Sequence, residues 1–345
     1  MLTTFSRLLL AALMSCATSG LAADGSPLFA DDAVLPIEFE LDFGDLCRNP
    51  ESGDCAPAAG VIRVTGVDGL SHELDVRYRT RGRWRRGTGH CAFPALFIEF
   101  DEEQTAGTPF AGQRTLPFTS HCQHYRSKYQ TWAILEYLAY RYYTLLTPAS
   151  VRVRLARIRY RDAGARHNYT RYGFFSEHFR DVGRRIGAEW FDADRADIRL
   201  TDPLELATLS LFQYMIGHLD WSAAALHNTT AFRRADGRII VVPFDFDYAG
   251  LVDAEYAAPP RGLGVRDVRH RLYRGFCRDG IDWDSLFTRF LAVREPVLGL
   301  LDDQQGLTAR RRSRARHYLE DFYRTIGSEG LRREQIVEAC RPLPD

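Results

Sequence analysis

The hydrophobic pattern changes its period along the chain, and this change constrains the fold more than any other feature. In the first half, short alternating or β-branched runs are separated by Gly, Pro and Asp clusters, which is the pattern of strands and turns. These runs are 35–43, 61–67, 73–79, 94–100, 151–160 and 172–175. Between them, 125–146 carries apolar residues at three- and four-residue steps and ends before Pro148, which predicts a long helix. The first half is therefore expected to be a sheet with one inserted helix.

The second half is predicted to be mainly helical. Helical periods run through 203–216, 283–300 and 307–326, and the first of these follows a Thr201-Asp202 cap signal. One β interval interrupts the helices, where Asp236-Gly237 between two apolar runs predicts a tight hairpin turn.

The N-terminus has the pattern of a signal peptide. Arg7 precedes an apolar run, 8–14, and small residues follow up to Ala23, so we predict a signal peptide over 1–23. A lipid anchor at Cys16 is the alternative. No later run approaches the roughly 20 apolar residues of a membrane-spanning helix. The mature chain is therefore expected to be exported, either periplasmic or secreted.

Apart from Cys16, the chain has an even number of cysteines, which predicts disulfides in an oxidising compartment. They are Cys47, Cys55, Cys91, Cys122, Cys277 and Cys340. Fifteen pairings are open, and we favour Cys47 with Cys55, then Cys91 with Cys122. The alternatives are six buried free thiols and, less favoured because the spacing lacks close ligand pairs, a zinc site.

The charges balance, with 45 basic and 45 acidic residues, so no overall field indicates a nucleic-acid or membrane partner. Lys128 is the only lysine, and arginine supplies the other basic side chains.

Two polar segments in apolar surroundings are the candidates for chemistry. His218, Asp220 and Asn228 follow the helix that ends near Gly217, and Asp245 and Asp247 follow the apolar run 239–242. Phosphoryl transfer needs a carboxylate to orient or deprotonate the attacking hydroxyl, and oxygen ligands to hold Mg²⁺ on the phosphates. We predict Asp220 as the catalytic carboxylate and Asn228, Asp245 and Asp247 as metal ligands.

This order of Asp, Asn, hairpin and Pro-Phe-Asp-Phe-Asp resembles the spore-coat CotH family of secreted atypical kinases. The chain is also similar to a group of exported bacterial proteins with related signatures. The CotH resemblance implies an α+β, two-lobed, protein-kinase-like fold: an N-terminal antiparallel sheet lobe with the long helix, 24–200, and a mainly helical C-terminal lobe, 201–345. It also implies ATP with Mg²⁺ or Mn²⁺, and an extracytoplasmic protein or glycan as acceptor.

The phosphate-binding lysine of kinases is missing at the corresponding strand, and arginine is the expected substitute. Arg79, Arg81 or Arg83 could contact phosphate, since guanidinium binds phosphate bidentately. Glu136 on the long helix could pair with such an arginine, as the helix glutamate of a kinase pairs with its lysine. We therefore predict Arg79, Arg81 and Glu136 as nucleotide-binding residues.

Other interpretations of the same residues remain open. Asp220 and Asn228 could satisfy a loop backbone, and Asp245 and Asp247 could be paired with arginines in a purely structural site. The chain would then be a non-catalytic pseudokinase or an envelope scaffold. A metal-dependent hydrolase using His218, Asp220, His227 and Asp245 is a third class, although no HExxH spacing supports it.

Overall fold

The computed structural model describes residues 26–48, 56–87, 89–164 and 168–343. The predicted signal peptide, the lipid anchor at Cys16 and the cysteine Cys55 lie outside these residues.

Seven strands of the first half close into a barrel. They are β1 Leu35–Leu41, β2 Ala58–Thr65, β3 Ser71–Arg81, β4 Ala95–Phe100, β5 Thr115–Thr119, β6 Val153–Asp162 and β7 Asn168–Ser176. Their order around the barrel is β1-β2-β3-β4-β5-β7-β6. Neighbouring strands are antiparallel except β1 and β6, which pair in parallel from Leu35 opposite Ala156 to Leu41 opposite Asp162. This parallel pair closes the sheet, because it gives β1 a partner on both sides.

The barrel interior is filled by aromatic side chains from alternate strand positions. Phe39, Phe118 and Phe175 are fully buried, and the ring centroid of Phe118 lies 5.2 Å from that of Phe39 and 5.1 Å from that of Phe175. Successive side chains of a strand point to opposite faces, so the same alternation places arginines on the outer face of β3 and β6.

The described residues also form a second sheet of three strands and eight α-helices. Some of these helices lie between barrel strands in the sequence, and the others follow them. The sheet has the order β10-β9-β8, with β8 Glu189–Phe191, β9 Thr229–Arg233 and β10 Ile239–Pro243. The helices are α1 Arg83–Arg86, α2 Lys128–Thr144, α3 Phe179–Ile186, α4 Pro203–Ile216, α5 Trp283–Ala292, α6 Arg294–Asp302, α7 Ala309–Gly327 and α8 Glu329–Arg332. The predicted hairpin at Asp236-Gly237 is confirmed, since β9 and β10 pair antiparallel around it.

The long helix α2 lies in the interior of the molecule. Twelve of its 17 residues are buried, and it contacts β6 and β7 of the barrel as well as α6. A helix buried on most sides needs apolar residues around most of its circumference, which explains the dense run of aromatic and aliphatic side chains from Trp132 to Tyr143.

The predicted two-lobed protein-kinase-like fold is wrong. We predicted an N-terminal antiparallel sheet, but the strands close into a seven-stranded barrel through a parallel pair. We predicted a mainly helical C-terminal lobe, but the second half also carries strands of a second sheet. In that half, 244–282 contains only turns and an isolated bridge among the residues described. Alternation in the sequence predicted strands, but the partners of those strands depend on contacts between distant segments. The domain boundary near residue 200 stays a prediction.

The predicted elements also need smaller corrections. The helix predicted over 283–300 is two helices, α5 and α6, which meet at Val293. The strands β5 and β8 and the helices α1, α3 and α8 were not predicted, because each is short.

Two disulfides lie within the described residues. Cys91 is bonded to Cys122, as predicted, and Cys277 to Cys340. Cys47 is also disulfide-bonded, but its predicted partner Cys55 is not described. Among the helices of the residues described, none is both long and apolar enough to span a bilayer.

We expect Gly217→Ala to destabilise the protein more than Gly187→Ala. Both glycines end a helix in the left-handed conformation, with φ of 66° and 64°. A Cβ at Gly217 would lie 1.9 Å from the hydroxyl oxygen of Tyr318, whereas a Cβ at Gly187 meets nothing within 4 Å. Left-handed backbone alone costs about 1–2 kcal/mol, and overpacking adds about 1–3 kcal/mol. Urea unfolding of both variants measures the difference, and equal losses would contradict the packing at Tyr318.

Candidate functional site

A buried arginine joins three distant segments of the chain. β3 ends at Arg81, Gly82 turns the backbone with φ of 77°, and α1 then carries Arg85. The Arg85 Nη2 atom lies 2.7 Å from Asp247 Oδ2 and 3.4 Å from Glu136 Oε2. The three side chains are 13%, 9% and 3% exposed. Arg85 therefore lies between α2 and the segment after β10, with both carboxylates in contact. We call Arg81, Arg85, Glu136, Asp245 and Asp247 the Arg85 cluster.

Arg81 and Asp245 complete this cluster. The Arg81 Nη2 atom donates a hydrogen bond to Thr119 Oγ1 at 2.9 Å. Burial lowers the pKa of Arg81, and the carboxylates of Asp245 and Glu136 oppose that shift. Asp245 has a left-handed backbone with φ of 59°, and its N–H donates to the Tyr140 hydroxyl at 2.8 Å. Burial and the charge of Asp247 raise the pKa of Asp245, although Arg85 and Arg81 act in the opposite direction.

The charges of the Arg85 cluster do not balance when every group is ionised, since two arginines face three carboxylates. Of the three carboxyl groups, Glu136 has the most deeply buried side chain, so its charged form is the most disfavoured. Burial raises the pKa of Glu136 to about 8, with Asp247 and Asp245 adding to the rise and Arg85 opposing it. This raised pKa favours the protonated form of Glu136 at neutral pH, and a bound cation would compete with that proton.

Asp220 and Asn228 lie on the loop that follows α4. Asp220 Oδ1 is 3.0 Å from His227 Nε2, and Asn228 Nδ2 donates to Asp220 O at 2.7 Å and to Oδ2 at 3.3 Å. The backbone carbonyl of Asn228 accepts from Phe244 N–H at 3.0 Å, next to Asp245. Pairing of β9 with β10 thus brings Asn228 beside the Arg85 cluster. The charge of Asp220 also contributes to the raised pKa of Asp245.

His218 is a buried neutral side chain at the edge of this loop. Burial lowers its pKa to about 4, against the opposing charges of Asp220 and Asp247. Its Nδ1 atom is 3.1 Å from Gln213 Oε1. This hydrogen bond and the packing of the ring against Phe246 hold the imidazole in place.

The structure brings together most, but not all, of the residues that we predicted as a site. Arg81, Glu136, Asp245 and Asp247 share one cluster, and Asp220 and Asn228 lie on the adjoining loop. Arg79 lies on the outer face of β3, with its Nε 3.0 Å from Glu99 Oε1, and does not take part. The sequence reasoning missed Arg85, because it placed the arginine on the strand and not in the short helix after Gly82. The arginine-rich run that follows Gly82 was the available signal.

Several oxygen atoms near the cluster are available to a cation. Asp247 Oδ1, the Asp245 carboxylate and Asn228 Oδ1 accept no hydrogen bond from the residues that the structure describes. Hard oxygen donors of this kind suit Mg²⁺, which commonly completes its shell with water and substrate phosphate. Within the described ranges, no three His, Cys, Asp or Glu side chains are placed to hold a metal ion by themselves.

A row of aromatic rings borders the cluster. The Tyr256 hydroxyl donates to Asp247 Oδ2 at 3.0 Å, and its ring lies 5.5 Å from Trp132 and 5.8 Å from Tyr248, centroid to centroid. A cavity of about 840 Å³ lies elsewhere, against α3 and the β9–β10 hairpin, and none of the cluster residues lines it.

Comparison with known proteins gives no family for this chain. No protein-family model matches it, and no significant match was found among curated proteins. The resemblance to the CotH family, and to the group of exported bacterial proteins, therefore stays a prediction.

We expect Arg85→Met to lower the free energy of unfolding by about 3 kcal/mol, because it leaves the buried Asp247 carboxylate without its cation and Glu136 without its hydrogen-bond donor. Arg79→Met is the matched control. Arg79 also pairs with a glutamate, but at the surface, and surface pairs contribute about 1 kcal/mol or less. Urea unfolding at pH 7 measures both losses. Equal losses would mean that Arg85 is not the buried cation of the cluster.

Glu136 should make the protein less stable as the pH rises from 6.5 to 8.5. Its pKa is about 8 in the folded protein, against an ordinary value of 4.5, so the folded state holds a proton that the unfolded state has lost. This stabilisation is complete below the ordinary pKa and is lost as the pH rises through about 8, with a slope of at most about 1.4 kcal/mol per pH unit. His218 acts oppositely and below this window, since its pKa is lowered from 6.5.

The Glu136→Gln variant tests this pH dependence. Its neutral amide replaces the protonated carboxyl, so its free energy of unfolding should stay nearly constant between pH 6.5 and 8.5. Urea unfolding of both proteins across this range gives the two curves. Parallel curves would show that Glu136 is ionised in the folded protein at neutral pH.

Proposed function

We propose that this chain is an exported protein that binds a magnesium-complexed nucleotide at the Arg85 cluster and transfers a phosphoryl group to a hydroxyl of an extracytoplasmic protein or glycan. The observation that carries the proposal is the position of Arg85, which is buried between Glu136 and Asp247 beside oxygens that accept no hydrogen bond from the described residues. The two disulfides are consistent with export.

Each residue of the cluster has a role in this proposal. Asp245, Asp247 and Asn228 would hold the cation through their free oxygens. Arg81 would contact phosphate, because a guanidinium binds phosphate oxygens in a bidentate manner. Arg85 orients Asp247 and Glu136. The tyrosines beside Asp247 offer ring faces to a nucleotide base.

Asp220 would orient the attacking hydroxyl. Its carboxylate is fixed by His227 and Asn228, and it lies on the loop next to the proposed cation ligands. Phosphoryl transfer depends mostly on positioning and on stabilising charge. The same chemistry can arise on unrelated folds, so the proposal does not require the kinase fold that the barrel excludes.

A non-catalytic role is the second candidate, and one observation favours it. Arg85 already contacts the carboxyl groups of Asp247 and Glu136, and both carboxylate oxygens of Asp220 are within hydrogen-bonding distance of neighbouring side chains. The single lysine, Lys128, pairs with Glu255 and is not in the cluster. The same residues could thus hold the segments together without a ligand.

Nucleotide binding with and without magnesium separates the two candidates. We expect ATP with Mg²⁺ to raise the melting temperature, because a ligand that binds only the folded state stabilises it, and ATP with EDTA to raise it far less. Asp245→Asn should weaken binding by about tenfold or more, in line with the loss of a ligand with a full charge. Asparagine tolerates the left-handed backbone at this position.

Asp236→Asn is the control, since Asp236 lies in the exposed hairpin turn and pairs with Arg238. Asp220→Asn should keep nucleotide binding while losing phosphoryl transfer or ATP turnover. If wild-type protein shows no magnesium-dependent shift, the phosphotransfer proposal fails and the non-catalytic role stands.

A further inference from the structure

Three arginines converge on one carboxylate oxygen in the segment that follows the Arg85 cluster. The Asp253 Oδ2 atom is 2.9 Å from Arg314 Nη2, 3.5 Å from Arg311 Nη1 and 4.0 Å from Arg269 Nη1. We call these three residues the arginine trio. Arg269 comes from the segment between β10 and α5, and the other two come from the first turns of α7.

The trio carries more positive charge than its surroundings neutralise. In the described part of the chain, no other carboxylate is within 4 Å of these guanidinium groups. Asp267 lies nearby, but it accepts a hydrogen bond from the backbone N–H of Arg269. Buried Arg271 stacks on Tyr318, as Arg269 does, and adds a further charge. The carboxylate of Asp321 acts on Arg271, so with these neighbours counted four arginines face three carboxylates, and Asp321 is shared with Arg324.

Another arginine network of the same protein has no such excess. On the outer face of the barrel, Arg63, Arg159 and Arg161 share the carboxylates of Glu38, Glu40 and Glu73. Three arginines there face three glutamates. The shortage of acidic partners is thus a property of the trio and not of every arginine-rich surface of this chain.

The trio is accessible and its side chains are partly fixed. Arg269 and Arg311 are each 26% exposed, and Arg314 is 47% exposed. The guanidinium carbon of Arg269 lies 4.6 Å from the centroid of the Tyr318 ring. Arg311 and Arg314 are three residues apart, so they lie on the same face of α7. Positive side chains near the start of a helix are disfavoured by its dipole, which adds to the electrostatic cost of the uncompensated charge.

We propose that the arginine trio binds a tetrahedral oxyanion, namely the phosphate or sulfate group of a ligand. Guanidinium groups donate paired hydrogen bonds to such oxyanions, and three groups around one point can engage three oxygens. Asp253 neutralises one charge and leaves the rest for the ligand. This site is separate from the Arg85 cluster and uses no magnesium.

Calorimetric titration with inorganic phosphate, sulfate and methyl phosphate, at constant ionic strength and in EDTA, tests the proposal. Arg314→Gln should weaken phosphate binding about tenfold, because it removes a charged hydrogen-bond donor. Arg316→Gln is the matched control on the same helix, since Arg316 pairs with Asp302 and Glu320, and this variant should bind phosphate as the wild type does.

The affinity for methyl phosphate distinguishes two kinds of ligand. If methyl phosphate binds as tightly as inorganic phosphate, the ligand group is a phosphate monoester. If methyl phosphate binds more weakly, the ligand is the free anion.

Asp253→Asn provides a test in the opposite direction. The neutral amide leaves three arginines unneutralised, so phosphate should bind several-fold more tightly. Asparagine also tolerates the left-handed φ of 53° at this position. No binding by the wild-type protein, or equal affinities in the wild-type, Arg314→Gln and Asp253→Asn proteins, would overturn the proposal. Asp245→Asn should leave this magnesium-free binding unchanged, so failure of the proposed nucleotide site is distinguishable from failure of this one.

Discussion

The burial of the Arg85 charge between Glu136 and Asp247 is the interaction on which the rest of the candidate site depends. It joins the end of β3, the centre of α2 and the segment after β10, which are far apart in the sequence. Breaking a buried ion pair leaves an uncompensated charge inside the protein, which is strongly destabilising. Each partner therefore helps to fix the others, and further hydrogen bonds join the Asp245 N–H to the Tyr140 hydroxyl and the Tyr256 hydroxyl to Asp247.

The barrel and α2 position this cluster. The β1–β6 pair closes the barrel, and α2 packs against β6 and β7 with Glu136 facing Arg85. The disulfide between Cys91 and Cys122 links the segment after α1 to the segment before α2. The two segments that supply Arg85 and Glu136 are thus joined covalently as well as through their charges.

The two polar sites have opposite electrostatic character. In the Arg85 cluster acidic groups outnumber arginines, and this excess of negative charge raises the pKa of Glu136 and favours binding of a proton or a cation. Around Asp253 arginines outnumber acidic groups, and this excess of positive charge favours binding of an anion. We therefore propose a magnesium-dependent ligand for the first site and an oxyanion for the second. Both sites lie along the turn-rich segment after β10.

The sequence by itself determined where most strands and helices lie and the Asp236-Gly237 hairpin, and it favoured the bond between Cys91 and Cys122 without selecting it among the fifteen possible pairings. It also indicated the residue types of the cluster, because acidic side chains that follow an apolar strand stand out locally. Only the tertiary structure decided that the strands close into a barrel, that Arg79 faces away from the cluster and that Arg85 is its buried cation. The physical reason is that alternation and helical period are local properties. Strand partners, burial and the pairing of charges arise from contacts between segments that are separate in the sequence, as in the parallel pair of β1 with β6 and the ion pair of Arg85 with Asp247.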